Sequence, residues 1–363
     1  MQKKIIIVAL VAAFAAPAFA DTTVYGVVDA VAANISASGM KSDLSVWSGG
    51  LAGSRLGVKS SEDLEGGLKA SINLEYALDV ATASSLTAAR QQLVAVEGGF
   101  GKVAAGYLQT TGYDFSRFDP TSGSLVSPLH NITGKTSFLI GNNASLKRLP
   151  RALGYTTPNL SGFTVGVNYS TAADATTATT TTGTNVGVAD ASTEAKATAY
   201  LVSANYASGP LGVAVVHANK SAATTPTGTG GAKTTETAIG ASYDLGMAKL
   251  FATYQTNKVD TATDSDTAMS VSASAPFGAS TVVLSYAKGT MTAQGTDKDV
   301  SGYSLVYLNS LSKTTTFYAS YNAMSQGSNT RTYSVANNAM GGDADLALGT
   351  GSSMVAAGMN KKF

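Results

Sequence analysis

The stretch LKASINLEYALD, residues 68–79, sorts its side chains onto two faces by strict alternation. Leu68, Ala70, Ile72, Leu74, Tyr76 and Leu78 take one face; Lys69, Ser71, Asn73, Glu75, Ala77 and Asp79 take the other. A period of two is the period of a strand, whereas a helix would spread Lys69, Asn73 and Glu75 over more than half its circumference. GFTVGVNYS (162–170) repeats the pattern, with Phe163, Val165, Val167 and Tyr169 opposite Thr164, Gly166, Asn168 and Ser170. VYGVVDAVAA, SRLGVKS, ARQQLVAV, GKVAAGYLQ, RALGYTT, LGVAVVHA, STVVLSYA, GYSLVYLN and TTTFYASY are further segments of this kind. The set numbers about sixteen, each near the length that crosses a bilayer when tilted.

Composition explains why these strands need a membrane. Charged residues are only 13%, about half the usual globular share, yet no apolar run long enough for a spanning helix follows the first twenty residues. The connections also alternate in length. SSEDLEGG, EGGFG, TPNLSG, ASGP, DLGM, APFGAS and NSLSK are short; 110–147, 171–193, 220–233, 289–298 and 322–350 are longer and polar. A soluble sandwich has no reason to sort its loops in turn, whereas a membrane barrel keeps short turns on the periplasmic side. Closure satisfies every backbone group in lipid and removes the sheet edges. The expectation is an all-β, 16-stranded antiparallel transmembrane β-barrel, a single domain over 21–363.

The N-terminus MQKKIIIVALVAAFAAPAFAD has a basic start at Lys3 and Lys4, an apolar core and Ala18-Phe19-Ala20 before Asp21. That is the pattern of a cleaved export signal over 1–20. Removing Lys3 and Lys4 from 24 basic side chains leaves 22 against 23 acidic ones. No basic excess points to nucleic acid. Cysteine is absent, so the fold must hold without disulfides.

Several stretches carry a specific resemblance. SRLGVKSSEDLEGGLKASINLEYALD, ARQQLVAVEGGFGKVAAGYLQTTGYD, LGYTTPNLSGFTVGVNY, LSKTTTFYASY and the terminal GMNKKF occur in the order found in Gram-negative general porins. The chain resembles the betaproteobacterial branch of that family over nearly its whole length. The resemblance implies a homotrimer in the outer membrane, surrounded by lipid and lipopolysaccharide, that passes small hydrophilic solutes by diffusion. It also implies that the final strand ends on an aromatic read by the barrel assembly machinery, here Phe363, with Met359, Ala357 and Val355 on the same lipid face. Tyr107 stands where close relatives carry an arginine that ties subunits together.

If the apolar faces meet lipid, the others line water. With Leu56 and Val58 outward, Arg55 and Lys59 point inward; with Leu74 outward, Lys69 and Glu75 do so, and Asp29 belongs to the same lumen-facing set. Arg90 opens a strand with Leu93 outward, and Arg148 opens one with Leu153 and Tyr155 outward. By the resemblance, Arg55, Arg90 and Arg148 form a basic wall across the pore, with Lys69 lower down. The long connection 110–147 would fold inward as a constriction loop with Asp114 and Asp119 as its acids, offset by Arg117, His130 and Lys135. Three arginines against one or two acids predict a preference for anions.

Other features offer less. His130 and His217 have no metal-ligand spacing, DTATDSD (260–266) and TDKD (296–299) read as solvated loops, and Trp47 sits in the first long loop without a role. No cofactor or metal is expected. An outer-membrane barrel enzyme would need an acid–base pair that His217 lacks, and the long loops could serve as an adhesin or phage receptor beside transport.

Overall fold

The alternating segments pair edge to edge into one antiparallel sheet that closes on itself. The computed structural model describes residues 21–363 except 38–41, 83–85, 87, 123–124, 135–137, 174–196, 223–230, 293–298, 328–334 and 336–350. The expected signal segment 1–20, Lys135 and most of 171–193 therefore lie outside the described residues.

The wall begins with β1 (Asp21–Ala37) and β2, which comes in two pieces, β2a (Asp43–Ser48) and β2b (Arg55–Leu64). β3 (Leu68–Ala77), β4 (Ala89–Gly98), β5 (Gly101–Gln109), β6 (Arg148–Thr156), β7 (Phe163–Ser170) and β8 (Thr198–Ser208) follow. The second half holds β9 (Leu211–Ser221), β10 (Lys233–Asp244), β11 (Lys249–Val259) and β12 (Asp266–Phe277). It ends with β13 (Ser280–Thr290), β14 (Asp299–Ser310), β15 (Thr315–Gln326) and β16 (Ser352–Lys362). β2a and β2b both pair with β1, so they form one stave and the barrel has sixteen. Trp47, expected in a loop, lies in β2a opposite Val31.

β1 also pairs with β16 from Val27↔Lys362 to Ala37↔Ser352, which closes the ring. Phe363 extends that seam: its N–H donates to Gly26 O at 3.2 Å and its O accepts from Gly26 N at 3.1 Å. Its ring fills the space a Cβ on Gly26 would need, so glycine is required at that position.

The outer face is apolar. Val355, Met359 and Phe363 are exposed together on β16, as are Ile72 and Leu74 on β3. Tyr169, Tyr200, Tyr286, Tyr303 and Tyr321 lie toward the long-loop ends, and Tyr155, Phe163, Tyr243, Phe277, Tyr307 and Phe317 toward the short turns. Two such aromatic rows are the girdles of a membrane barrel. His217 belongs to this outer face, against Thr237 Oγ1 at 3.0 Å and the ring of Tyr200.

The inner face is not uniformly wet. Val31, Ala33 and Ile35 of β1, with Val283, Val306 and Met354, are buried under Val126, Leu129, Ile132 and Phe138. A second cluster joins Leu108, Leu149, Leu201 and Val216 to Phe115, Phe118, Leu139, Ile140 and Leu146. Alternation separates the two faces on these strands, but inward does not mean solvated: the described part of 110–147 folds into the barrel and covers part of its wall.

Asp29 shows the same effect. It points to the lumen side but is fully buried. Its carboxylate accepts from Leu51 N at 3.2 Å, Ala52 N at 3.0 Å, Tyr318 OH at 2.6 Å and Asn360 Nδ2 at 2.7 Å. The bonds fix the link between β2a and β2b and fasten β1 to β15 and β16. Asp29 is thus an internal tie, not a charge offered to water, because four donors enclose it.

Candidate functional site

Three local irregularities build the site. The first is in β4, where Glu75 pairs with Gln91 and Tyr76 with Ala89, so Arg90 is the extra residue of a β-bulge. Simple alternation put Leu93 outward. The structure instead exposes Val94 (53%) and packs Leu93 inward against the second cluster. On that register Arg90 would face lipid; the bulge turns it into the lumen. Its Nε donates to Glu75 Oε1 at 2.6 Å.

Glu75 also faces Arg55, Nε to Oε2 at 3.6 Å, and accepts from Tyr25 OH at 3.0 Å. The Arg55 guanidinium is held in turn by Gly53 O at 2.9 Å. Lys59 lies over the Tyr25 ring, 5.7 Å from its centroid. One buried carboxylate is therefore shared by two guanidiniums, leaving the group cationic.

The second irregularity is in β5 and β6, where Gly106 pairs with Ala152 and Leu108 with Leu149. Tyr107 thus opposes two residues, Pro150 and Arg151, and Arg151 takes a positive φ of 48°. Arg148, just beyond, sits over the Tyr113 ring at 5.1 Å. Its Nε and Nη2 are buried without a partner.

The third is the loop. It starts with α1 (Thr111–Asp114), capped by Thr110 Oγ1, and a 3₁₀ turn at Phe115–Phe118. Later comes α2 (Pro128–Thr133), capped by Ser127 with Pro128 in its first turn. α1 packs on β8 through Gly112 and Leu201, and Phe118 on β10 over Gly240, where any Cβ would collide with its ring. α2 lies along β12–β15. Glu236 of β10 latches the far end: its carboxylate accepts from Leu139 N, from Ile140 N at 3.3 Å and from Gln255 Nε2 at 2.8 Å. Gln255 reaches on to Ile140 O at 2.9 Å.

The loop's charges separate into two kinds. Asp114 and Arg117 are exposed at the loop edge. Asp114 accepts from Gln109 Nε2 at 2.9 Å, and Arg117 donates to Asn205 Oδ1 of β8 at 2.7 Å. The crowded lumen desolvates Asp114 and raises its carboxyl above the usual range, against the opposing pull of Gln109 and Arg117. Asp119 does not face the basic wall. It is buried, accepting from Thr121 N at 3.0 Å and from Ser127 Oγ, so it organises the loop. His130 adds no charge either, since burial and then Lys147 hold its imidazole down to about 3.

Lys69 also leaves the wall. It lies on the same strand as Glu75 but six residues nearer the short turn, roughly 20 Å away along an extended chain. There it pairs across with Asp63 and Glu97 and contacts Asp63 at 3.3 Å. Acids on both neighbouring strands neutralise it.

Two residues escape a reading by motif. Glu236 was detectable as the lone acid on an inward face of small residues, Ala238, Gly240 and Ser242. Lys147, half-buried where the loop rejoins the wall, was detectable only as the neighbour of Arg148 in sequence. Beneath the loop a cavity of about 640 Å³ is lined by Gln91, Lys102, Asp114, Arg117, Asn205 and Lys249, among others.

A closed barrel of membrane-spanning strands, an infolded loop and a cation-lined lumen define an outer-membrane channel protein. The profile of the Gram-negative porin family matches residues 8–329. The chain belongs to that family. It is 32% identical over 332 residues to outer membrane porin protein 32 of Delftia acidovorans, covering 88% of each. A porin of Bordetella pertussis is 28% identical over 371 residues, covering 88% of this chain and 93% of that one. Among solved structures, the anion-selective porin from Comamonas acidovorans superposes with a TM-score of 0.75 at 25% identity, over 95% of this chain and all of that one. OmpT of Vibrio cholerae, with a TM-score of 0.63 at 15% identity, shares the fold. The protein is an outer-membrane porin.

Proposed function

We propose that the channel passes small hydrophilic solutes by diffusion through a constriction that prefers anions. The observation that carries this is the imbalance at the loop: Arg55 and Arg90 divide the one carboxylate of Glu75, and among the described residues no ion pair joins Arg148 to an acid. An anion crossing there meets guanidiniums in excess over carboxylate, and a guanidinium can hand it on while staying charged. Among the described residues of the loop edge, the acid that a cation meets is Asp114, beside Arg117. No bond is made or broken; sieving by the loop and the local field do the work.

The assembly is a homotrimer in this reading. The outward aromatic rows are dense over β6–β15, whereas β1–β5 present Gly26, Ala30, Ala32, Ala70, Ala105 and aliphatic side chains, with Tyr76 and Tyr107 among them. Small side chains allow a second barrel to approach closely, and Tyr107 takes part in that face. Currents through purified protein in a planar bilayer test both claims. Stepwise insertions that close in thirds and a zero-current potential on the anion side are expected. Single-step closures would remove the trimer, and a cation-side potential the preference.

Phe363 serves assembly in this proposal, supported by its ring on the lipid side of the closing seam. Phe363→Ala should lower the heat-modifiable barrel in outer membranes by several-fold and leave protease-sensitive chain in the periplasm. Equal folded protein in both membranes would refute that role. Lipopolysaccharide is the neighbour this reading expects in the outer leaflet, at the long-loop ends of the strands.

A further inference from the structure

The cavity beneath the loop carries groups that the arginine wall does not use. Lys102 of β5, Arg117 of the loop and Lys249 of β11 all line it. Among the described residues no ion pair joins any of the three to an acid. Asp114, the acid of the lining, accepts from Gln109 Nε2 at 2.9 Å. Glu97 stands opposite Lys102 in register, and Asp244 opposite Lys249. Neither of these acids lines the cavity, and Asp244 turns back to accept from Gly246 N at 2.8 Å. Two of the cations are backed by rings. The Arg117 guanidinium lies 4.7 Å from the Phe118 centroid, and Lys249 Nζ 5.4 Å from that of Phe251.

One stretch of the same lining is apolar. Leu93 of β4 and Ala104 of β5 pack on the second cluster, yet both keep part of their surface open to the cavity. Leu93 is directly opposite Gly106, which has no side chain to cover it. Lys102 is two residues from Ala104 on one strand, so it stands on the same face at the edge of this patch. Inorganic ions gain nothing from aliphatic surface, and a leucine left bare in a water-filled lumen is unfavourable.

We propose that the cavity is a binding site for carboxylates with an apolar body, aromatic acids in particular. The body lies on Leu93 and Ala104, the carboxylate meets Lys102, and Arg117 and Lys249 attract it from the rest of the lining. This rests on the anion-preferring channel argued above. Acetate carries the same charge with almost no apolar surface, so it reports the electrostatic part alone. Covering one face of a phenyl ring should make benzoate bind about tenfold tighter than acetate.

The test is block of the chloride current through purified full-length protein in a planar bilayer, with sodium benzoate or sodium acetate added at equal concentrations. Benzoate should halve the current at about a tenth of the acetate concentration. Lys102→Gln and Arg117→Gln should each raise both half-blocking concentrations about threefold, the scale of one screened charge. Leu93→Asn, with folding checked by heat modifiability, should bring benzoate close to acetate and leave acetate unchanged. Equal block by the two acids in the wild type, or benzoate block unaltered by both charge variants, overturns the proposal, while an anion-side zero-current potential keeps the channel reading. Benzoate block that is lost from the Arg90→Gln, Arg148→Gln double variant but kept in Lys102→Gln puts the ligand at the constriction and equally overturns it. A cation-side potential in the wild type, with no block by either acid, removes the site together with the reading on which it rests.

Discussion

Replacing Arg90 and Arg148 together by glutamine is expected to move the zero-current potential in a salt gradient toward the cation side, with folded protein in normal amount. Two unit charges about 4 Å apart at an effective dielectric near 20 interact by roughly 4 kcal/mol. Pore water and salt remove most of that. A residue of about 1 kcal/mol corresponds to roughly a fivefold change in the permeability ratio. Loss of Arg90 also frees one oxygen of Glu75, which keeps Arg55 as its partner, so the acid adds to the shift. Lys258 is the control. It lies outward near the long-loop end of β11, exposed, and Lys258→Gln should barely move the potential. A double variant with the wild-type potential would show that the bulge-borne Arg90 and the Arg148 guanidinium do not act on the ion path.

Glu236→Ala should loosen the constriction without opening the barrel. The carboxylate is the acceptor for Leu139 N and Ile140 N, and each buried N–H left unpaired costs about 1–3 kcal/mol. The wall has its own ladder on both sides of β10, so the loss falls on the loop. Expected results are noisier single-channel currents and faster uptake of solutes near the size limit, with heat-modifiable barrel unchanged. Glu236→Gln keeps one acceptor oxygen but turns an NH₂ toward donors, so it should fall between. Quiet, wild-type currents from Glu236→Ala would show that Phe118 on Gly240 and the apolar clusters hold the loop unaided.

What was legible in the sequence was the wall. Residues 68–79 show it: Ile72 and Leu74 face out, Asn73 and Glu75 face in, as alternation requires. What was hidden depends on a partner strand. The bulge at Arg90 exists only because β3 pairs with β4 in a register that skips one residue, and no pattern within ARQQLVAV reveals it. Leu93 was accordingly placed on the wrong face, while Arg90 reached the lumen for a reason parity does not supply. Asp119 was misread for a different cause. Its partners Thr121 and Ser127 are close in sequence, yet an acid beside hydroxyls reads equally well as a turn or as a pore charge. Lys69 had the correct face and the lower position expected of it, but its acidic neighbours Asp63 and Glu97 come from the pairing of β2b, β3 and β4, which alternation within one strand does not show.

The Asp29 tie has a consequence for how the ring is made. Its bonds to Tyr318 and Asn360 join positions separated by 289 and 331 residues. Contacts that distant reward the chain only after nearly every other strand is in place, and they belong to the closing seam, where loop-closure entropy is greatest. Hairpins between neighbouring strands can form early and locally, but the first and last strands must keep open edges until the end. Sealing the seam is therefore the slow event of folding. A partly built barrel should accumulate as a sheet with both edges unpaired, and the rate at which that species disappears in refolding experiments should depend on the carboxylate of Asp29 far more than on any arginine of the pore.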